Sequence, residues 1–219
     1  MTERTEILRR TEAWVRDQMH GEGTGHDWWH VERVRRMALR LAGGEGADPY
    51  VVELAALLHD VADHKFHGGD ETAGPRAARA WLTEAGAEPA DVEHVATIIA
   101  ELSFKGAGVA TPMSTPEGRV VQDADRLDAM GAIGVARAFA YGGSRGRPLH
   151  EPDAAPEAHD SFARYKASTG PTINHFHEKL LLLRERMNTA AARRIAEERH
   201  RFMEAFLERF HREWEGEDG

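Results

Sequence analysis

The stretch VVELAALLHD, Val51–Asp60, decides the fold of this chain. Its apolar residues recur at the spacing of an α-helix, so they are expected to point into a core. The residues before it suit a helix start, because Asp48 is a good N-cap and Pro49 fits the first helical position. The predicted helix therefore delivers an imidazole and a carboxylate, those of His59 and Asp60, side by side at its C-terminal end.

Two further residues complete a set of nitrogen and oxygen donors. His30 lies upstream and Asp125 downstream, so with His59 and Asp60 the chain offers two imidazoles and two carboxylates. This mixture suits Mn, Fe, Co, Ni or Mg better than the thiolate-rich sites typical of structural zinc. The chain has no cysteine, which excludes thiolate ligands and disulfides and fits a reducing cytosol.

Length and composition predict one globular domain over residues 1–219. The chain lacks a linker rich in Pro, Ser and Gly, and 219 residues with 41% hydrophobic content can form one sizeable core. A formal charge of -9 argues against a broad nucleic-acid interface, which needs a basic face. We find neither an apolar signal core nor a run of roughly 20 apolar residues. We therefore expect a cytoplasmic protein without nucleic-acid or membrane partners.

The periodic segments are helical, and we find no strand pattern and no internal repeat, so the predicted fold class is all-α. We predict helices over about residues 3–20, 27–41, 49–60, 72–85, 91–102, 117–141 and 172–215, the last of them broken or bent near Asn188. Gly131 and Gly134 interrupt the sixth helix and indicate close packing there. Residues 105–116 read as a loop, and 142–156 is the longest irregular segment and a candidate lid.

The pattern His30, then His59-Asp60, then Asp125 resembles the signature of the HD-domain metal phosphohydrolases. Seven further segments resemble one bacterial branch of this family, whose members are similar to nucleoside triphosphate pyrophosphatases: GHDWWHVERV, LLHDVADHKF, IIAELSFKG, QDADRLDAMGAIGVARAF, YGGSRGRP, HFHEKLLLLRERMNT and AEERHRFMEAFLERF. The resemblance covers almost the whole chain, from about Trp14 to Phe210. A lone His-Asp pair is weak support, whereas four residues in register with seven segments are specific.

The resemblance implies a single-domain helical bundle with a metal site in its core cleft. The helical core would cover about residues 20–141, and C-terminal helices of about 157–215 would cover the site. A divalent ion, with Mn²⁺ preferred over Mg²⁺, Co²⁺, Ni²⁺ or Fe²⁺, would be held by His30, His59, Asp60 and Asp125. A metal-activated water would then attack a (deoxy)nucleoside triphosphate and release monophosphate and pyrophosphate.

Asp63 is the predicted proton-transfer residue, and with Asp60 it makes up the predicted catalytic pair. It lies three residues after Asp60 and four after His59, so its carboxylate should share their face of the helix. The resemblance implies that it orients the attacking water. The alternative is a residue that terminates the helix or supports a ligand histidine.

Several basic residues are predicted to bind the substrate phosphates. Lys65 and Lys105 each lie where a helix gives way to a loop, although solvated lysine is the common alternative. The resemblance implies that the late helix with His175 and Lys179 closes over the site, while the sequence alone favours an amphipathic packing helix. Arg145 lies on the candidate lid.

Four other aromatic or histidine residues could contact the substrate or play a structural part. His26 precedes His30 by four residues and is predicted either to contact substrate or to play a structural part. Trp28 and Trp29 are predicted to be core residues rather than base-stacking platforms, and His94 a core histidine rather than part of the site.

Alternative activities and partners also stay open. The enzyme could instead act on nucleoside 5'-monophosphates, or on another phosphomonoester or phosphodiester, and a catalytically silent nucleotide sensor is the alternative outside the enzyme class. The complete ligand set argues against the sensor. The expected partner is a small phosphate substrate, a nucleotide. The last helix carries an apolar stripe that is either core or the interface of a homodimer: Phe202, Met203, Phe206, Leu207 and Phe210.

Overall fold

The structure is a computed structural model that describes residues 2–19, 25, 27–62, 70, 72–102, 108–157 and 169–217. These residues form helices and no strand, which confirms the all-α prediction. The helices are α1 (Glu3–Gln18), α2 (Trp28–Ala42), α3 (Pro49–Leu58), α4 (Ala73–Ala85), α5 (Pro89–Leu102), α6 (Pro116–Asp128), α7 (Gly131–Ser144), α8 (Thr172–Glu178), a 3₁₀ helix (Leu180–Arg186) and α9 (Ala190–Trp214). Within the described ranges, no helix has the length and apolar character of a membrane span.

The helices fall into two compact units. The first comprises residues 1–104 and 111–125, and the second comprises residues 105–110 and 126–219. Helix α6 begins in the first unit and its last residues belong to the second. The sequence-based prediction of one domain, with C-terminal helices over the site, concerns the arrangement of these units and stays a prediction.

Helix α3 is the centre of the first unit. Its residues from Tyr50 to Leu58 are buried except for the partly exposed Glu53, and it packs against α1, α2 and α5. A helix that is apolar all round belongs in a core rather than at a surface. The Asp48 carboxylate accepts a hydrogen bond from the Tyr50 backbone N–H at 2.9 Å, and Pro49 follows the cap, as predicted. The helix ends at Leu58, so His59 and Asp60 follow directly.

Helices α7, α8 and α9 of the second unit share an aromatic core. The ring centroid of Phe139 lies 6.1 Å from that of Phe176 and 6.0 Å from that of Phe206, and Phe206 lies 6.0 Å from Phe210. These distances are typical of packed aromatic pairs. The apolar stripe predicted on the last helix therefore contributes to this core, with Phe202 as its exposed member.

The region of α6 and α7 differs from the sequence-based predictions in two respects. The helix predicted over 117–141 is two helices, α6 and α7, and Gly131, the first residue of α7, adopts a left-handed φ of +69° that a continuous α-helix does not allow. A Cβ at Gly134 would overlap the Ala129 backbone, so this glycine lets α7 start close to the end of α6. Helix α7 also continues to Ser144, into the segment predicted to be irregular. The break predicted near Asn188 is confirmed, since Thr189 caps α9.

Candidate metal centre

Three helices of the first unit bring four side chains together. His30 lies in the first turn of α2, where the Asp27 carboxylate accepts a hydrogen bond from the His30 backbone N–H at 3.0 Å and fixes the helix start. His59 and Asp60 follow the C-terminal end of α3. Asp125 lies in the last turn of α6. Each of the four residues therefore lies in the first or last turn of a helix or directly after its end.

The donor atoms of these side chains converge on a small space. The Nε2 atoms of His30 and His59 lie 3.1 Å apart. The Oδ2 of Asp60 lies 3.4 Å from the Nε2 of His30. The Oδ1 of Asp125 lies 3.6 Å from the Nε2 of His30 and 3.9 Å from that of His59. One donor atom each from His30, His59 and Asp60 lies within 4.8 Å of the other two.

The hydrogen bond made by the His59 ring makes this cluster suitable for a cation. Its Nδ1 lies 2.8 Å from the Ala56 carbonyl oxygen, which can only accept a hydrogen bond, so we assign the proton to Nδ1. In the neutral ring, Nε2 then presents a lone pair toward His30 and Asp125. Two imidazoles and two carboxylates that share one space are complementary to a divalent metal ion, and the Ala56 carbonyl fixes the required orientation of His59. The four residues therefore fit a metal ion.

Burial differs among the four side chains. Those of His30 and His59 are 0% and 2% exposed, and that of Asp60 is 9% exposed. The Asp125 side chain is 35% exposed. Solvent or a substrate can therefore reach the cluster from the side of Asp125, while the imidazoles are shielded from water.

Apart from Asp60, which is part of the cluster, the predicted catalytic and substrate-binding residues lie elsewhere in the chain or outside the described residues. Arg145 follows the end of α7, where its guanidinium lies 5.3 Å from the centroid of the Tyr141 ring. His175 lies in α8, and Lys179 follows the end of that helix, both in the second unit. Four predicted site residues fall outside the described residues and their roles stay predictions: His26, Asp63, Lys65 and Lys105.

Trp28, Trp29 and His94 differ in burial and contacts. Trp28 is buried, as predicted, whereas Trp29 is 59% exposed, so the prediction that it is a core residue is wrong. The Nε2 of His94 lies 3.4 Å from a Glu117 carboxylate oxygen, and the other oxygen of Glu117 accepts the Asp48 backbone N–H. His94 is thus linked to the N-terminal end of α3, opposite the end that carries the metal cluster.

The Ala56 carbonyl, which orients His59, also belongs to the site and was not predicted from the sequence. The signal was available, because the last carbonyls of a helix lack partners within it and a side chain three residues on can reach them. The pairing still depends on the rotamer of His59, which the sequence does not determine.

Comparisons with known proteins identify the family of this chain. Residues 28–130, which include all four clustered side chains, match the HD domain family model. The chain is 37% identical to the protein YpgQ of Bacillus subtilis over 94% of this chain and 93% of the relative.

Solved structures of similar proteins share the fold. An HD-superfamily hydrolase from Bacillus thuringiensis is 43% identical, with a TM-score of 0.73 over 97% of this chain and 98% of its own. A structure of YpgQ in complex with ADP is 35% identical, with a TM-score of 0.74 over 96% and 100%. A protein from Lactobacillus plantarum is 35% identical, with a TM-score of 0.86 over 96% and 97%. With its four converging side chains, the chain belongs to the HD-domain family of metal-dependent phosphohydrolases.

Proposed function

We propose that the protein hydrolyses (deoxy)nucleoside triphosphates to the nucleoside monophosphate and pyrophosphate. The observation that carries this proposal is the convergence of His30, His59, Asp60 and Asp125 on one space that suits a divalent cation. The complex of a relative with ADP supports a nucleotide as the ligand class. The sequence resemblance to the triphosphate pyrophosphatase branch supports a triphosphate rather than another nucleotide.

The four clustered residues would hold the metal ion, with Mn²⁺ as the preferred ion. When bound, such an ion supplies positive charge to the phosphate and lowers the pKa of a water molecule. The protein supplies the orientation of the ligands, since Ala56 fixes the ring of His59 and burial keeps His30 in one position. The more exposed Asp125 carboxylate marks the side on which the phosphate chain would enter.

The reaction then requires one proton acceptor and one leaving group. In this proposal Asp63 accepts a proton from the water that attacks the α-phosphorus. A phosphorus–oxygen bond to that water forms as the bond from the α-phosphorus to the bridging oxygen breaks, and pyrophosphate leaves. The monophosphate keeps the oxygen that came from water.

Basic side chains would neutralise the remaining charge of the triphosphate. The chain has a formal charge of -9, so a local group of cations must offset the repulsion of a polyanion. The residues proposed for this are Lys65, Lys105, Arg145 and Lys179, with His26 and His175 as hydrogen-bond donors to the substrate.

The proposal is tested with nucleoside mono-, di- and triphosphates and Mn²⁺, Mg²⁺, Co²⁺ or Ni²⁺, in water enriched in ¹⁸O. We expect pyrophosphate from triphosphates, one labelled oxygen in the monophosphate, and the highest rate with Mn²⁺. Asp60→Ala should abolish turnover. His94→Gln is the matched control, because His94 lies at the opposite end of α3, and it should keep the rate.

Other outcomes identify the alternatives. Orthophosphate from nucleoside monophosphates would make the protein a phosphomonoesterase, and label in pyrophosphate would mean attack at the β-phosphorus. Nucleotide binding without turnover under any metal would make it a sensor and overturn the proposal.

A further inference from the structure

Two residues after Asp125, a backbone carbonyl near the end of α6 accepts a hydrogen bond from an arginine that is distant in sequence. Leu127 lies in the last turn of α6, and its carbonyl oxygen accepts a hydrogen bond from the Met130 backbone N–H at 3.0 Å. The same oxygen also accepts a hydrogen bond from the guanidinium of Arg199, which lies in α9. Carbonyls at a helix C-terminus lack partners within the helix, so this arginine satisfies one of them and places positive charge at the negative end of the helix dipole.

Gly131 makes room for this arginine. A Cβ at this position would lie 3.0 Å from the Cγ and 3.2 Å from the Cβ of Arg199, which is closer than side-chain carbons normally approach. The left-handed φ of +69° also favours glycine. The stem of Arg199 therefore lies directly on the turn that connects α6 to α7, and its guanidinium reaches back to Leu127.

Two further bonds hold the same helix end. The Arg126 guanidinium donates to the Arg186 carbonyl oxygen. The Asp128 carboxylate accepts a hydrogen bond from the Arg137 guanidinium at 2.7 Å. All of these partners belong to the second unit, and the three residues of α6 that they hold directly follow Asp125.

We infer that Arg199 is a positioning residue for Asp125, and that it raises the affinity of the metal cluster through the end of α6. The inference rests on the proposed assignment of Asp125 as a metal ligand. The Oδ1 of Asp125 lies 3.6 and 3.9 Å from the Nε2 atoms of His30 and His59, farther than the 3.4 Å between Asp60 and His30. Asp125 also lies in the final turn of its helix, where helices fray. Leu127 is about 3 Å from Asp125 along the helix axis, so a displacement at the carbonyl is transmitted to the carboxylate.

The test measures the metal affinity of the full-length protein rather than its turnover. Arg199→Met keeps the stem on Gly131 but removes the donor, and the apparent dissociation constant of Mn²⁺ should rise by about tenfold or more, as for other residues that orient a ligand. Arg199→Lys keeps a donor and should recover most of the affinity. The visible absorption of the Co²⁺ form should change in Arg199→Met and return in Arg199→Lys.

A matched control separates positioning from stability. Arg193 also lies in α9 and also donates to two backbone carbonyls, those of Met187 and Asn188, both at 3.1 Å. Arg193→Met should lower the stability of the metal-free protein to a similar extent but leave the Mn²⁺ dissociation constant unchanged. Equal loss of affinity in both variants would reduce Arg199 to a stabilising role and overturn the inference.

A double-mutant cycle connects the effect to Asp125. In the Asp125→Ala background, Arg199→Met should cause no further loss of Mn²⁺ affinity, because the ligand it positions is gone. The same tenfold loss in that background would overturn the inference. If Asp125→Ala itself leaves the affinity unchanged while His59→Ala abolishes it, the metal assignment of Asp125 fails, and the triphosphate assay still tests the activity separately.

Discussion

Two pairs of histidine rings in this protein have nearly the same geometry and very different surroundings. The centroids of His30 and His59 lie 5.1 Å apart at an interplanar angle of 67°. Those of His150 and His211 in the second unit are also 5.1 Å apart, at 73°. Two carboxylates lie within 3.9 Å of the first pair, whereas the ring centroid of His150 lies 5.0 Å from that of Trp214. The carboxylates, rather than the spacing of the rings, distinguish the candidate metal centre from the aromatic cluster.

In the second pair, burial favours the neutral form of His150. Burial lowers the pKa of His150, the nearby charge of His211 lowers it further, and Glu215 opposes both effects. The buried Nδ1 of His150 has no hydrogen-bond partner among the described residues. A ring in this position avoids protonation without any need for a metal ion. Within the described part of the chain, the group of His and acidic side chains that could hold a metal ion is that of His30, His59 and Asp60.

Replacing one histidine of each pair should give the largest contrast. His59→Ala removes a buried ligand, so we expect the protein to lose its metal on dialysis and the rate to fall by roughly a thousand-fold, the equivalent of several kcal/mol of charge stabilisation. His211→Ala should leave metal content and rate close to those of the wild type. Elemental analysis and initial rates check both. Loss of metal in His211→Ala would mean that the two histidine pairs do not differ in metal binding as proposed.

Asp63→Asn should separate chemistry from metal binding at the first pair. If Asp63 accepts the proton, kcat should fall by roughly 100-fold while the metal content stays unchanged. The measurement is kcat together with elemental analysis of the same sample. Metal loss would instead make Asp63 a ligand or a support, and an unchanged kcat would remove it from the mechanism.

The sequence predicted those parts of the fold that depend on local signals. The Asp48-Pro49 start and the apolar run of α3 give the helix and the position of His59 at its end. Gly131 is a close-packing residue, as predicted, because a Cβ there would lie 3.0 Å from the Cγ of Arg199. The break between α6 and α7 was missed because the left-handed φ of Gly131, which a continuous helix does not allow, was not predicted. From the sequence alone, a glycine within a helical pattern is compatible with both a continuous helix and a break. The residue that packs on this turn, Arg199, lies 68 residues further along the chain, so the local sequence could not reveal the contact.

The part of the candidate site at the end of α3 could be predicted from the sequence. His59, Asp60 and their order relative to His30 and Asp125 follow from the sequence and the family resemblance. The orientation of His59 by Ala56 and the unequal burial of Asp60 and Asp125 depend on rotamers and neighbouring helices, so only the structure could give them. The wrong prediction for Trp29 has a similar cause, since adjacent residues of a helix point about 100° apart and only one of two tryptophans could face the core.

Loss of the lysine charges proposed to bind the substrate phosphates should raise KM and leave metal binding unchanged. Lys65→Ala and Lys105→Ala are each expected to raise KM for triphosphates by about tenfold, through the loss of a charge-assisted hydrogen bond to phosphate. KM for a model ester without a charged tail should change little. Arg36→Ala is the control, since Arg36 is highly exposed and pairs with Glu32 on the outside of α2. Equal losses on both substrates would indicate misfolding or metal loss, and no loss on either would leave these lysines as solvated residues.

The smallest expected effect is the pH dependence that His150 gives to stability. Its pKa in the folded protein lies below the ordinary value of 6.5, so as the pH falls below about 6.5 the unfolded chain takes up a proton that the folded protein does not. The free energy of unfolding should therefore decrease on acidification through this range. His150→Phe keeps an aromatic ring beside Phe210 and Trp214 but cannot titrate, so its stability should fall less between pH 7.5 and 5.5. Urea unfolding of the metal-free proteins measures the difference. An identical pH dependence in the variant would mean that His150 has an ordinary pKa, and a steeper one would mean that Glu215 outweighs burial.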